Sequence, residues 1–467
     1  MKMWSGRFRQ PLDPQFECWQ RSFAFDRRLL RYELAASGAH SRALKAAGIL
    51  SSDELIQILK GLEGIGKRAT ESPDFLEDDE AEDVHHFVEK RLAALIGETG
   101  YKLHSGRSRN EQIAADLRLF VRAAIDELRQ QLAYLCGSFA DRAAACGEAA
   151  MPAYTHLQKA EPVLVAHWLM AYVEMFLRDA TRLADCRARL NLCPLGSGAV
   201  AGATLALDRE AIAQTLDFDG PTANSIDATS DRDFAVEFVD ALSILALHLS
   251  RWAEEMILFS TQEYGFISLP EAYSTGSSAM PQKKNPDLLE LVRGKSGRII
   301  GNPTSLMMTM KGLPLAYNKD LQETQEPLFD AADSMLALLP LVTNWMREVT
   351  LDFQRMDTAA QSGFMNAWAA ATYLTRRGVA SRLAHEHVGK AVQVCLEKKC
   401  ELQDLSLDEL RAIDPAFAED VYPSLKLSSV LAIHDVAGGT APNRVRQAIA
   451  AAREQIESLR EEVHAHA

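Results

Sequence analysis

The sequence predicts an all-α protein of three helical domains with a central long-helix bundle. Three observations carry this reading. Two stretches, Val163 to Cys193 and Thr222 to Tyr264, contain neither proline nor glycine, which is long for an uninterrupted helix in a globular chain. Within the first, apolar residues step by three and four along two separate stripes, and a helix that is apolar on two faces must be buried on both. Alternating, strand-like runs are almost absent.

The first domain, residues 1–106, is read from short helical patterns interrupted by AAGILSSDE and by an acidic stretch. The second, residues 107–358, opens on a helical pattern from Asn110 to Cys146. In the Val163 to Cys193 run one stripe is Val163, Ala166, Met170, Val173, Leu177, Ala180 and Ala184; the other is Leu169, Tyr172, Phe176, Leu183 and Leu190. The Thr222 to Tyr264 run has SDRD, Ser230 to Asp233, as its cap and is apolar nearly all round through ALSILALHLSRW. Patterns at Asp287 to Ile300 and Phe329 to Met346 add further helices. The third domain, residues 359–467, returns to short pieces such as LQDLSLDELRAIDPAF, with a capping pattern at Ser406. So much apolar surface on long helices predicts a homo-oligomer.

Composition narrows the functions available. With 47% hydrophobic and 24% charged residues, the chain is globular rather than disordered. A net charge of -14 leaves no basic face for nucleic acid or an anionic membrane, although a small anion can still find a local cationic pocket. MKMWSGRFRQ is followed by no apolar segment fit for a secretory signal, and no later apolar run is long enough to span a bilayer, so a cytoplasmic location is expected. The seven cysteines are odd in number, scattered and without a CxxC pair, so buried free thiols are expected rather than disulfides or a zinc site.

Several motifs carry chemistry beside a plainer reading. LGSGAVAG, Leu195 to Gly202, formally contains the dinucleotide pattern G-x-G-x-x-G/A, but it follows a long helix and not a strand. A tight turn is expected there, and no nucleotide cofactor. LEDDEAEDVHHFVEKRL reads as a solvated, acidic helix start. Adjacent histidines such as His85 and His86 point about 100° apart on a helix and cannot share one ion, so no metal is expected. YKLHSGRSRNEQIAADLRLF places Arg107, Ser108, Arg109 and Asn110 ahead of a helix, which suits both a capped N-terminus and a cradle for carboxylate or phosphate. PAYTHLQKAEP presents Thr155, His156 and Gln158 in a proline-bounded segment that reads as a loop. In STGSSAMPQKKNPDLLELV, Asn285 can cap a helix, Pro286 suits its first turn and Asp287 favours its positive end. That leaves Ser277, Ser278, Lys283 and Lys284 on a glycine-flanked loop, where a closing lid would bring hydroxyl and ammonium to an anion.

GSSAMPQKKNP resembles the signature loop of the fumarase/aspartase superfamily of helical lyases, which eliminate fumarate or a relative from succinyl compounds. SGRSRNEQ (Ser105 to Gln112), YTHLQKAEP and LPLAYNKDLQE (Leu313 to Glu323) resemble the argininosuccinate lyase family within it. The likeness runs from WSGRF at Trp4 to GGTAP at Gly438 to Pro442.

The resemblance implies a tetrameric superfamily fold in which three subunits build each active site, with no cofactor and with argininosuccinate as the small-molecule substrate. It implies Ser277 as general base, Lys283 and Asn285 as stabilisers of a doubly charged aci-carboxylate, His156 as the acid or acid-orienting group, and Glu290 as its orienting carboxylate. Arg107, Ser108, Asn110 and Thr155, with Ser22 beside them, would hold the succinyl half; Tyr317, Gln322 and Arg232 would hold the arginine half. His85 matches a supporting histidine near the site. Gln325 stands where relatives often carry Lys, Ala279 replaces the usual Leu of the lid, and GVASRLAH (Gly378 to His385) lacks the usual Pro, Phe and Glu. A sister lyase acting on another N-succinyl amine, such as ethylenediaminedisuccinate, need not keep YNKDLQE. A non-enzymatic relative of the crystallin kind would tend to lose His156 or Ser277.

Overall fold

The computed structural model describes residues 10–466, so WSGRF at Trp4 lies outside the described residues. The fold is all-α. Its long helices are Arg109–Ala145, Val165–Leu190, Asp233–Ser260, Asp287–Met310, Gln325–Glu348 and Pro442–His466. Strands occur only as two-stranded pieces among the described residues, the largest being an antiparallel hairpin of Ala150–Thr155 and Gln158–Leu164.

The chain forms two compact units. The first takes the residues up to Glu127 with Arg182–Ser243 and Ile299–Ser334; the second takes Leu128–Thr181, Ile244–Arg298 and the residues from Met335 onward. In the first, Phe120 meets Tyr32 and Phe329 edge to face at 6.1 and 5.0 Å, and Arg28 lies 4.7 Å over the Phe329 ring while donating to both oxygens of Asp333. In the second, Phe139, Phe176, Trp252 and Trp345 come from four different long helices and are all fully buried. Their rings meet at 5.6 Å (Phe139 with Phe176), 6.4 Å (Phe139 with Trp252) and 5.1 Å (Trp252 with Trp345). This cluster is where the apolar stripes end up: Ala166, Leu169, Met170, Tyr172, Val173, Phe176, Leu177 and Ala180 are buried.

The structure corrects two of three local expectations. Val163 is not helical; it pairs with Met151 in the hairpin, and the helix begins two residues later. The SDRD cap of the Thr222 to Tyr264 run is borne out, since the long helix begins at Asp233, and a short helix precedes it. Asn224 caps a short helix, Ser225–Ser230, by accepting from Ile226 N and Asp227 N, and Asp231 then accepts from Asp233 N to start Asp233–Ser260. Side-chain caps thus break a run that has no glycine or proline. Third, PAYTHLQKAEP is a hairpin and not a loop. Its two central residues, His156 and Leu157, have φ of 55° and 58°, the left-handed pair of a type I′ turn, made without the usual Asn-Gly. The Ser406 cap is present, reciprocated by Glu409, and all seven cysteines are free. Among the described residues no helix is long and apolar enough to cross a membrane.

Candidate active site

In the first unit the Ser105 to Asn110 segment turns into the Arg109–Ala145 helix. Gly106 makes the turn at φ 69°, where a Cβ would come within 2.7 Å of Leu205. Ser108 Oγ accepts from Asn110 N at 3.3 Å and Glu111 accepts from Ser108 N at 3.0 Å, a reciprocal cap. Gly198 N donates to the other Glu111 oxygen at 2.8 Å, so LGSGAVAG is a tight turn pinned to this segment, and a two-residue strand, Leu192–Cys193, precedes it. The Arg107 side chain is 5% exposed, with Nη1 donating to Ser37 Oγ at 3.0 Å and Nη2 lying 3.6 Å from Glu33. Arg109 instead turns to Glu82 and Asp83, at 3.2 and 2.9 Å.

Glu33 is the hub of this region. It accepts from Ser37 Oγ at 2.5 Å, from Gln112 Nε2 at 3.1 Å and from His85 Nδ1 at 3.0 Å. Burial alone would push the Glu33 carboxyl up, but Arg107 and His85 hold it below the usual carboxylate range. Burial would likewise depress the His85 imidazolium, yet Glu33 carries it up to about 9. Burial, then the charge of Glu33, pushes the Asp116 carboxyl up. His85 is therefore a buried ion-pair partner and not part of a solvated helix start, a correction to the reading of the acidic stretch. Ligand atoms of Glu33, His85 and Asp116 lie within 4.8 Å of one another, but Glu33 is already balanced by His85 and Arg107. That donor set fits protons better than a divalent ion.

The residues assigned to the arginine half also fall in this unit. Arg232 is buried and donates to Asp231 O at 2.7 Å; burial draws its guanidinium down to about 10, opposed by Tyr317. Gln322 Nε2 donates to Gln20 O at 3.2 Å. Ser22 is buried and donates to Asp26 at 2.6 Å, whose carboxyl burial pushes up to about 7. Asn110 Nδ2 donates to Ala199 O at 3.3 Å. Gln325 is buried, and its Oε1 has no hydrogen-bond partner among the described residues.

In the second unit the signature loop is a miniature hairpin. Thr275 pairs with Asn285 and Gly276 with Lys284, leaving Ser277 to Lys283 at the tip. Asp287 fastens it by accepting from Thr275 N at 2.9 Å and Thr275 Oγ1 at 2.8 Å. Asn285 does not cap the following helix as expected; its amide turns back to Thr275 Oγ1 and Gly276 O, both at 3.4 Å. Ser277 Oγ accepts from Ala279 N at 3.2 Å and Met280 N at 3.1 Å. Two amides thus face the oxygen that would carry charge once deprotonated, which favours the alkoxide. Lys284 is tied to Leu269 O at 2.5 Å, whereas the exposed Lys283 ammonium makes no hydrogen bond among the described residues. Thr155 and His156 stand exposed at the turn of the larger hairpin, and Glu290 is exposed, 4.0 Å from Arg293. Among the described residues no hydrogen bond joins His156 to Glu290.

A lyase family model matches residues 6–301, and an argininosuccinate lyase C-terminal model matches residues 364–432. The argininosuccinate lyase of Koribacter versatilis is 58% identical over 467 residues, 100% of both chains. That of Acidobacterium capsulatum is 57% identical over 97% of this chain and 94% of its own. The chain belongs to the argininosuccinate lyase family. Among solved structures, an EDDS lyase in complex with formate matches with a TM-score of 0.85 at 27% identity, over 97% of this chain and 92% of that one.

For a member of the argininosuccinate lyase family, the motifs single out cations, hydroxyls and amides and pass over the groups that hold them. Glu33 and Ser37 lie outside every motif; their only sequence signal is helical spacing with His40 and Ser41, which puts four polar residues on one buried face. Asp287 was legible as a helix-start acid, but its grip on Thr275 depends on a strand pairing that the loop's composition conceals.

Proposed function

We propose that this protein eliminates fumarate from argininosuccinate and releases L-arginine. The observation that carries the reading is Ser277 Oγ facing two backbone amides at the tip of its lid, in a chain 58% identical along its full length to an argininosuccinate lyase. As an alkoxide, Ser277 takes a proton from the carbon beside a succinyl carboxylate, and the electron pair moves onto that carboxylate to give the aci-carboxylate. The Lys283 ammonium and the Asn285 amide, whose present bonds are long, meet the added charge. Collapse forms the double bond of fumarate and breaks the carbon–nitrogen bond. The departing guanidino nitrogen gains its proton at His156, directly or through a group that His156 orients, with Glu290 behind it. Arg107, Ser108, Asn110 and Thr155, with Ser22, hold the succinyl half; Arg232, Tyr317 and Gln322 hold the arginine half.

We further propose a cytoplasmic homotetramer of three-segment chains (1–106, 107–358, 359–467) with active sites shared between subunits. Free thiols support a reducing compartment. Exposed Leu247, Leu291, Ile300, Met307, Met308 and Leu341 on the long helices support association. Fumarate release, followed by ultraviolet absorbance, tests the activity with argininosuccinate and ethylenediaminedisuccinate under matched conditions. Fast release from argininosuccinate alone is expected; release from ethylenediaminedisuccinate alone would move the function to a sister lyase.

A further inference from the structure

The hairpin that carries Thr155 and His156 poses a positioning problem. Its turn holds two consecutive residues with side chains in the left-handed region, which is unfavourable for both, and Leu157 at the tip is 66% exposed. The His156 ring makes no hydrogen bond among the described residues. Whatever fixes the imidazole must therefore act from below the turn. Thr155 pairs with Gln158, and Tyr154 with Lys159. Paired residues share a face and successive pairs alternate, so Tyr154 and Lys159 point together, away from the face of Thr155.

Both make ties there. The Tyr154 ring packs against Phe259 at 6.1 Å and Tyr264 at 5.6 Å. Lys159 Nζ donates to Ala359 O at 2.8 Å and Ser362 Oγ at 3.0 Å. Ala359 lies in the last turn of the Phe353–Ala360 helix, where carbonyls lack helical partners and the dipole is negative, so an ammonium suits the place twice over. One strand of the hairpin is thus held by aromatic packing and the other by charge-assisted bonds. The two residues also line an open cleft of about 780 Å³, so an altered side chain at position 159 meets no packed wall.

We propose that Lys159 is a positioning residue for the elimination. By tying the outgoing strand to the end of the Phe353–Ala360 helix, it fixes where the His156 imidazole sits. The inference rests on the reading that His156 serves the departing nitrogen. Misplacing a catalytic group by about an ångström costs up to about a hundredfold in rate, so Lys159→Met is expected to lower kcat for fumarate release about 10- to 100-fold. KM should rise less than kcat falls, because Thr155 is the one proposed substrate-binding residue on this hairpin. Lys159→Arg, which can still reach both acceptors, should restore most of the rate. Ser362→Ala, which removes one acceptor, should cost less than Lys159→Met.

The deciding comparison is a double-variant cycle with His156→Asn. A residue that acts through His156 loses its effect once the imidazole is gone, so Lys159→Met should add little to His156→Asn. An unchanged kcat in Lys159→Met, with His156→Asn inactive, would overturn the role of Lys159. A full additional loss in the double variant would also overturn it, by showing that Lys159 acts elsewhere. Wild-type turnover by His156→Asn would instead overturn the reading of His156 and leave Lys159 nothing to position. Should Lys159→Met fail to fold, Ser362→Ala in the same cycle carries the test.

Discussion

The two regions that bear the proposed chemistry hold their side chains in opposite ways. In the first unit Arg107 is buried, donates to Ser37 and is balanced by Glu33, which is in turn bound to His85 and Gln112. In the second, Ser277, Lys283, Thr155 and His156 stand on turns, located by strand pairing and by single ties such as Asp287 to Thr275. An anchor for carboxylate is always charged, and burial among compensating groups makes it rigid without leaving a bare ion. A group that must take up and release a proton has to meet its substrate afresh each cycle. Backbone geometry can hold such a group while leaving its reactive atom open.

The largest expected effect lies in the second region. Ser277→Ala removes the proposed proton acceptor but no buried group, so kcat should fall about a thousandfold or more while the unfolding midpoint stays put. Retained turnover would take Ser277 out of the mechanism. In the first region the two effects should travel together. Arg107→Lys loses the guanidinium fork and leaves Glu33 poorly matched, so kcat/KM should drop about a hundredfold and the unfolding midpoint should drop with it. A variant as stable as the wild type would show that Glu33 does not depend on the fork.

The buried network also gives the first region a pH signature. Raised from 6.5 to about 9 in the fold, His85 contributes stability that is fully present below about pH 6.5 and is lost as pH rises through about 9. The loss should be roughly 3 kcal/mol. Thermal unfolding across that window should show a falling midpoint in the wild type and a flatter profile in His85→Gln. Identical slopes would mean that His85 is neutral in the folded protein. The smallest effect is expected at Asp287→Asn, which weakens the exposed tie to Thr275. A threefold to tenfold loss in kcat, corresponding to about one hydrogen bond, should appear with little change in stability.

How much of this was legible in the sequence follows the same division. Two of the long helices, Val165–Leu190 and Asp233–Ser260, announced themselves through missing breakers, and the first also through two apolar stripes, because burial on two faces leaves a periodic record. The signature loop and the SGRSRNEQ segment were legible as unusual loops, and their resemblance to a family supplied roles that composition alone left open. The hairpin under His156 was not legible, since a His-Leu turn lacks the glycine and asparagine that normally mark left-handed residues. The helix start at Asp233 was legible, because SDRD offers its own cap. Glu33 was hidden for a different reason: its partners Arg107, Gln112 and His85 lie 52 or more residues away in sequence, and only folding brings them together.

The central claim is that Arg107 in the first region anchors the substrate and Ser277 in the second turns it over. Calorimetric titration of argininosuccinate into Ser277→Ala, and into the same protein carrying Arg107→Lys, tests it most directly because neither sample consumes the ligand. The account predicts tight binding to Ser277→Ala and binding weaker by about a hundredfold once Arg107 is changed. Failure of Ser277→Ala to bind, or equal binding by both proteins, would contradict it.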